Sequence, residues 1–165
     1  MRVYVIRHAA AGQAGDYPND EERPLTRKGI DCMKVVAKGL AKIGVAPKKI
    51  YTSPLVRAKQ TAEIVRKAVG KSADFEERDE LKPGHAPAEV IAFLTDEGIE
   101  EAAIVGHEPQ LGELVSLMVV ESDEPVLDMK KASVACIDFE GPAEPGQGVV
   151  AWHLTPAVVS ALLGK

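Results

Sequence analysis

Four short β-favouring runs, Val3–Ile6, Lys49–Thr52, Ala73–Glu76 and Ala102–Val105, are each followed by turn residues and then by a segment with helical periodicity. This alternation constrains the fold more than any other feature. Neighbouring parallel strands need a crossover connection, so strands that alternate with helices predict an α/β layered fold around a mostly parallel sheet. The helix from about Thr26 to Ile43 places Ile30, Met33, Ala37 and Leu40 on one face and stops at Gly44. Ser53-Pro54 predicts the next helix start, with Ser53 as N-cap and Pro54 in the first position. Ala58, Ala62, Val65 and Val69 form the buried stripe of that helix, which Gly70 closes. A helix over Ala86–Thr95 and another carrying Leu111, Leu114 and Met118 follow. The last two strands, Ser133–Phe139 and Val149–Leu154, are joined by GPAEPGQG. That joint is too short for a crossover helix, so the pair is expected to form an antiparallel hairpin and the sheet to be mixed. A short helix, Pro156–Leu163, ends the pattern.

The 165 residues contain no repeat, linker or low-complexity tract, and the expectation is one domain over 1–165. A net charge of -5 argues against nucleic acid or an anionic membrane as a partner. No apolar stretch is long enough to span a bilayer, and the first residues read as a core strand and not as a signal peptide. Cys32 and Cys136 lie far apart and in no pair motif, which suits two buried small hydrophobes in a reducing cytoplasm.

In open α/β sheets ligands bind beyond the carboxyl ends of the strands. Arg7 and His8 follow the first strand. SPLVRAKQTA follows the second and puts Arg57 in the first turn of a helix. His107 follows the fourth, in Gly106-His107-Glu108-Pro109, just before another helix. Helix starts at that edge add free backbone N–H groups, that of Glu108 among them, and positive partial charge. Two arginines beside two histidines would repel a metal ion, whereas guanidinium forks match phosphate oxygens. Nearby positive charge also lowers a histidine pKa, and a neutral imidazole is a nucleophile. The set therefore reads as a phosphate pocket with a histidine able to attack phosphorus. Other motifs fail. Gly70-Lys71-Ser72 has Val65 where a phosphate-binding loop needs glycine, and no G-x-G-x-x-G follows the first strand. His85 fits a solvated loop and His153 a structural role in the hairpin.

RHAAAG resembles the RHG/RHA signature of the histidine phosphatase superfamily, whose fold is phosphoglycerate mutase-like. PLTRKG (Pro24 to Gly29), SPLVRAKQTA and VGHEP match further motifs of that family in the right order. The LTRKG, SPLVRAKQTA and GHEPQL forms are most similar to small bacterial phosphohistidine phosphatases of the SixA type. The resemblance implies a three-layer α/β/α sandwich with one antiparallel strand. It makes His8 the nucleophile that becomes phosphorylated, Arg7 and Arg57 the clamp on the phosphoryl oxygens, and His107 a hydrogen-bonding partner of the phosphoryl group. Many relatives carry a glutamate general acid. The candidate here is Glu80 in RDELKPG, with Asp79 beside it. A P–N bond breaks with weaker acid assistance than an ester does. Thr26 and Gly29 are helix-start residues, and Gly29 also permits close packing near the pocket.

The expected activity is that of a phosphatase with a covalent phosphohistidine intermediate, needing neither metal nor cofactor. Its expected partner is a phosphorylated protein, such as a histidine-phosphotransfer domain. A small phosphorylated substrate is the alternative, hydrolysed as a phosphomonoester or rearranged by a mutase of the same fold. A mutase needs an insertion that holds its substrate during reorientation, and this chain has none. A non-catalytic phosphate-binding module would not need a nucleophile. The short loop Gly12–Pro24 and the brief segment between Arg57 and His107 predict an open, shallow pocket.

Overall fold

The computed structural model describes residues 1–122 and 124–164. In chain order these form β1 (Arg2–Arg7), α1 (Arg27–Lys42), β2 (Lys49–Thr52), α2 (Val56–Val69), β3 (Asp74–Glu77), α3 (Pro87–Glu97), β4 (Glu101–Gly106), α4 (Gln110–Val120), β5 (Val134–Asp138), β6 (Val149–Leu154) and α5 (Pro156–Leu162), with 3-10 turns at Asp20–Glu22 and Asp79–Leu81. One sheet carries the strands in the order β3-β2-β4-β1-β5-β6. β1 with β4, β2 with β4 and β2 with β3 pair in parallel, while β5 runs antiparallel to both β1 and β6. The short GPAEPGQG joint thus returns the chain as a hairpin, and β5 alone opposes its neighbours. No helix among the described residues is long and apolar enough to cross a membrane.

Alternation along β1 shows how the layers form. Val3 and Val5 belong to a buried cluster with Val90 and Leu94 of α3 and Leu111, Leu114 and Met118 of α4. Tyr4 and Ile6 point the other way, into a cluster with Met33, Val36 and Leu40 of α1 and Ala58, Ala62 and Val65 of α2. A central strand buried on both faces must be apolar at every position. The result is the expected α/β/α arrangement. Cys136 lies in the second cluster, whereas Cys32 is only half-buried on α1.

Thr26 caps α1 by accepting a hydrogen bond from the Gly29 N–H at 3.0 Å. The start of α2 departs from expectation. Leu55, not Ser53, precedes the first helical residue, and its side chain makes no cap. Ser53 instead prolongs the path of β2, its N–H donating to the Val105 carbonyl at 2.9 Å. Its hydroxyl is engaged elsewhere, with His107. β3 begins at Asp74 and not at Ala73, because the Ala73 N–H closes the turn after α2 on the Gly70 carbonyl.

Candidate active site

β1 and β4 are adjacent, so the residues that follow them meet. The rings of His8 and His107 lie 5.0 Å apart between centroids, and both are buried. The His8 N–H donates to the Gly106 carbonyl at 3.1 Å, which carries the sheet register one residue past β1. The Ala9 N–H donates to Thr61 Oγ1 at 3.1 Å, and that hydroxyl donates to the Arg57 carbonyl at 2.8 Å. The end of β1 and the first turn of α2 are thereby tied together, with Arg57 buried between them. Behind the nucleophile candidate, Gly29 lets α1 approach closely: a Cβ there would meet the Ala10 carbonyl oxygen at 2.0 Å.

His8 Nδ1 lies 2.7 Å from the Ala9 carbonyl oxygen. A carbonyl can only accept, so Nδ1 carries the proton and the Nε2 lone pair is free. His107 Nε2 lies 2.9 Å from Ser53 Oγ, which also accepts from the Leu55 N–H at 3.4 Å. The Ser53 hydroxyl can donate to Nε2, and in that arrangement the proton of His107 sits on Nδ1. His107 Nδ1, Arg7 Nε and Arg57 Nε are buried without a hydrogen-bond partner among the described residues. Buried donors left unmade cost about 1–3 kcal/mol each, so a cluster of them marks a place prepared for an acceptor.

Burial is the main reason both imidazoles resist protonation. It pushes His8 down to about 4, against a smaller opposing effect of the Ala9 carbonyl and with help from Arg57, Arg7 and Lys131. Burial also lowers His107 to about 3, aided by His8 and Arg57. The arginines act as expected from the sequence, but desolvation leads.

Arg7 Nη1 donates to the Met129 carbonyl at 2.7 Å. Arg57 faces a residue that sequence reasoning missed. Its Nη1 donates to the Asp20 carbonyl at 2.8 Å, and its Nη2 lies 3.0 Å from Asp20 Oδ2. Asp20 also accepts from Arg23 Nε at 2.9 Å. Burial opposes the charge on Asp20, but Arg57 and Arg23 together hold its carboxyl below the usual range. The signal was present in NDEE, an Asn cap followed by acidic residues: Asn19 Oδ1 accepts from the Glu21 N–H at 3.0 Å. Ser53, Thr61 and Gln110 were also missed as supporting residues. Buried Gln110 donates to the carbonyls of Glu80 at 2.6 Å and His85 at 3.1 Å, tying the segment after β3 to the start of α4.

Glu80 sits in the turn Asp79–Leu81 beyond β3, at the same edge of the sheet, and its carboxylate has no hydrogen bond or ion pair among the described residues. Asp79 is exposed and pairs with Lys82 at 2.8 Å. Glu108 follows His107 directly, and burial raises its carboxyl above the ordinary value despite the charge of Arg7. His85 bonds Glu89 at 2.8 Å on the surface, and burial lowers His153 in β6. Among the described residues no three His, Cys, Asp or Glu side chains group so as to hold a metal ion. The donors gathered here suit a tetrahedral oxyanion next to an imidazole lone pair.

Comparison with known proteins agrees with that chemistry. Residues 3–85 match the family described as the Histidine phosphatase superfamily (branch 1). An uncharacterized protein of Picosynechococcus is 37% identical over 141 residues, covering 81% of this chain and 82% of the relative. The phosphohistidine phosphatase SixA of Escherichia coli strain K12 is 30% identical over 159 residues, 94% of each chain. A solved structure of the protein histidine phosphatase SixA complexed with tungstate superposes with a TM-score of 0.83 at 29% identity, covering 95% of this chain and 98% of that one.

Proposed function

The chain belongs to the histidine phosphatase superfamily and is a phosphatase, and from that premise we propose that it removes phosphoryl groups from phosphohistidine on a protein through a covalent intermediate on His8. The observation that carries the reading is the fixed tautomer of His8. Its Nδ1–H is held by the Ala9 carbonyl, so the lone pair on Nε2 is available. In the first step Nε2 attacks phosphorus, a P–N bond forms to His8, and the bond to the leaving nitrogen breaks with that nitrogen taking up a proton from solvent. In the second step water attacks phosphorus, the bond to His8 breaks, and inorganic phosphate leaves. Arg7 and Arg57 neutralise the equatorial oxygens, and the Nδ1–H of His107 donates to one of them. The backbone N–H of Glu108 adds to that field. These cationic donors supply the charge stabilisation, so turnover needs no divalent metal.

Three features support the protein substrate. The similarity to SixA extends along nearly the whole chain. Between Arg57 and His107 the chain holds the rest of α2, β3, a 3-10 turn, α3 and β4, with no inserted segment to roof the site. The leaving imidazole of phosphohistidine needs little acid assistance, which asks less of Glu80 than an ester would. The deciding measurement is kcat/KM on a phosphorylated histidine-phosphotransfer domain against several sugar phosphates and phosphate monoesters, in EDTA. Preference for the domain, with turnover undiminished by the chelator, is the expected result. If a small ester is turned over tenfold better, about 1.4 kcal/mol in transition-state binding, the enzyme is a small-molecule phosphatase.

A further inference from the structure

An open cleft of about 570 Å³ is lined by Arg7, Lys130, Lys131, Thr155, Pro156 and Ala157. It shares Arg7 with the phosphoryl site, but the chemistry above uses none of its other residues. Lys130 and Lys131 are exposed, in a chain whose net charge is -5. Lys131 has no ion pair among the described residues, and the carboxylate nearest Lys130, that of Asp128, is 4.0 Å away.

The turn that carries the two lysines is held in an uncommon conformation. Ala132 has φ 62°, in the left-handed region that a residue with a Cβ rarely adopts. Such a conformation costs about 1–3 kcal/mol and persists only where the surroundings enforce it. Here the Ala132 N–H is shared between the carbonyls of Arg7 and His8, each at 3.2 Å, and the Ser133 N–H closes on the Lys130 carbonyl at 2.8 Å. The lysine pair is therefore fixed to the backbone of the Arg7–His8 pair itself. Lys131 is the smallest of the influences that keep His8 neutral, and with burial leading His8 stays neutral at pH 7 without it.

We propose that this cleft docks carboxylate side chains that flank the phosphorylated histidine on the protein substrate. The inference rests on the phosphoprotein reading above. Complementary charge at a rim acts mainly on encounter rate and on salt dependence, and leaves the chemistry at the reacting centre alone. Small residues, Thr155 and Ala157, line the cleft together with the lysines and leave room for side chains to enter. A substrate anchored at its phosphoryl group by Arg7 would lay its neighbouring residues into this cleft, since Arg7 forms a wall of both.

The test uses two synthetic phosphohistidine peptides, one flanked by glutamates and one by glutamines, with para-nitrophenyl phosphate as the small substrate. The parent should prefer the acidic peptide, and added salt should erase the preference. The double substitution Lys130→Gln, Lys131→Gln should lower kcat/KM about fivefold on the acidic peptide and less than about twofold on the neutral peptide and the ester. Equal losses on all three would place the lysines' effect on the phosphoryl group and overturn the docking role. No loss on the acidic peptide overturns it as well. If the parent cleaves both peptides alike, the cleft proposal fails while the phosphoprotein reading stands. If it cleaves neither peptide yet hydrolyses the ester, the phosphoprotein reading fails and the cleft proposal falls with it.

Discussion

His8, Arg57 and His107 are 7%, 4% and 2% exposed, whereas the side chains of Asp20 and Lys130, which stand around them, are 54% and 67% exposed. The buried floor is held by strand register, by the Thr61 bridge and by the close approach of α1 at Gly29. The rim is held by ion pairs and turns. The two sides of the rim also differ: Asp20 presents a carboxylate to Arg57, and the 130–131 turn presents two ammonium groups. Groups that must meet a developing charge are preorganised in the floor, where desolvation strengthens them. The groups proposed to select a partner stand where solvent and salt can reach them. Substitutions in the floor should therefore cost orders of magnitude, and those in the rim small factors.

Arg57→Ala should make the largest difference, lowering kcat/KM on the order of a thousandfold for every phosphorylated substrate. Arg57→Lys should recover little of it, because an ammonium cannot present the guanidinium fork. Steady-state kinetics checks both, and a loss below tenfold would erase the distinction between floor and rim.

Acid should expose the floor next. His8 and His107 stay neutral in the folded state down to about 4 and about 3. In the unfolded chain they take up protons near their ordinary value of about 6.5. Between those values the unfolded state binds more protons, so stability falls as pH drops from about 6.5 towards 4, by up to about 1.4 kcal/mol per pH unit for each histidine. Urea unfolding at pH 7, 5.5 and 4.5 reads that slope, and His107→Gln should make it shallower. An unchanged slope in the variant would show that His107 is not a neutral buried group.

Ser53→Ala is expected to come third. It removes the partner of a buried His107 nitrogen without touching substrate, and should cost about tenfold in kcat with little change in KM. An equal effect on KM alone would assign Ser53 to substrate binding. Asp20→Asn should have the smallest effect. Arg57 is buried but its Asp20 partner is half-exposed, and solvent on that side keeps the pair to about 1 kcal/mol, so freeing Arg57 from this carboxylate should tighten inhibition by inorganic phosphate about threefold. Weaker inhibition would mean that Asp20 helps to hold the anion.

The layered fold and the placement of His8, Arg57 and His107 beyond strand ends were legible, because strand periodicity and the carboxyl-edge rule both act locally, whereas Arg7, expected after the first strand, is the last residue of β1 and pairs with Gly106. The adjacency of β1 and β4, which brings the two histidines together, is a matter of sheet order and has no local signature. Ser53 was misassigned for a physical reason. The same Ser-Pro pair suits an N-cap, but its hydroxyl is worth more to the buried His107, and α2 starts later as a result. Asp20 lay in a stretch without apolar periodicity, where a 3-10 turn of three residues leaves only its Asn cap as a clue. The strained Ala132 was invisible, since alanine carries no preference for the left-handed region.

The central claim is that His8 Nε2 carries the phosphoryl group between the two steps. It is tested most directly by mixing enzyme with radiolabelled phosphohistidine substrate, quenching in alkali within milliseconds and mapping the label by peptide mass spectrometry. The account predicts a base-stable, acid-labile adduct on His8, formed and lost at rates consistent with turnover and absent from His8→Ala, which should be inactive. Label on any other residue, or full turnover by His8→Ala, would contradict it.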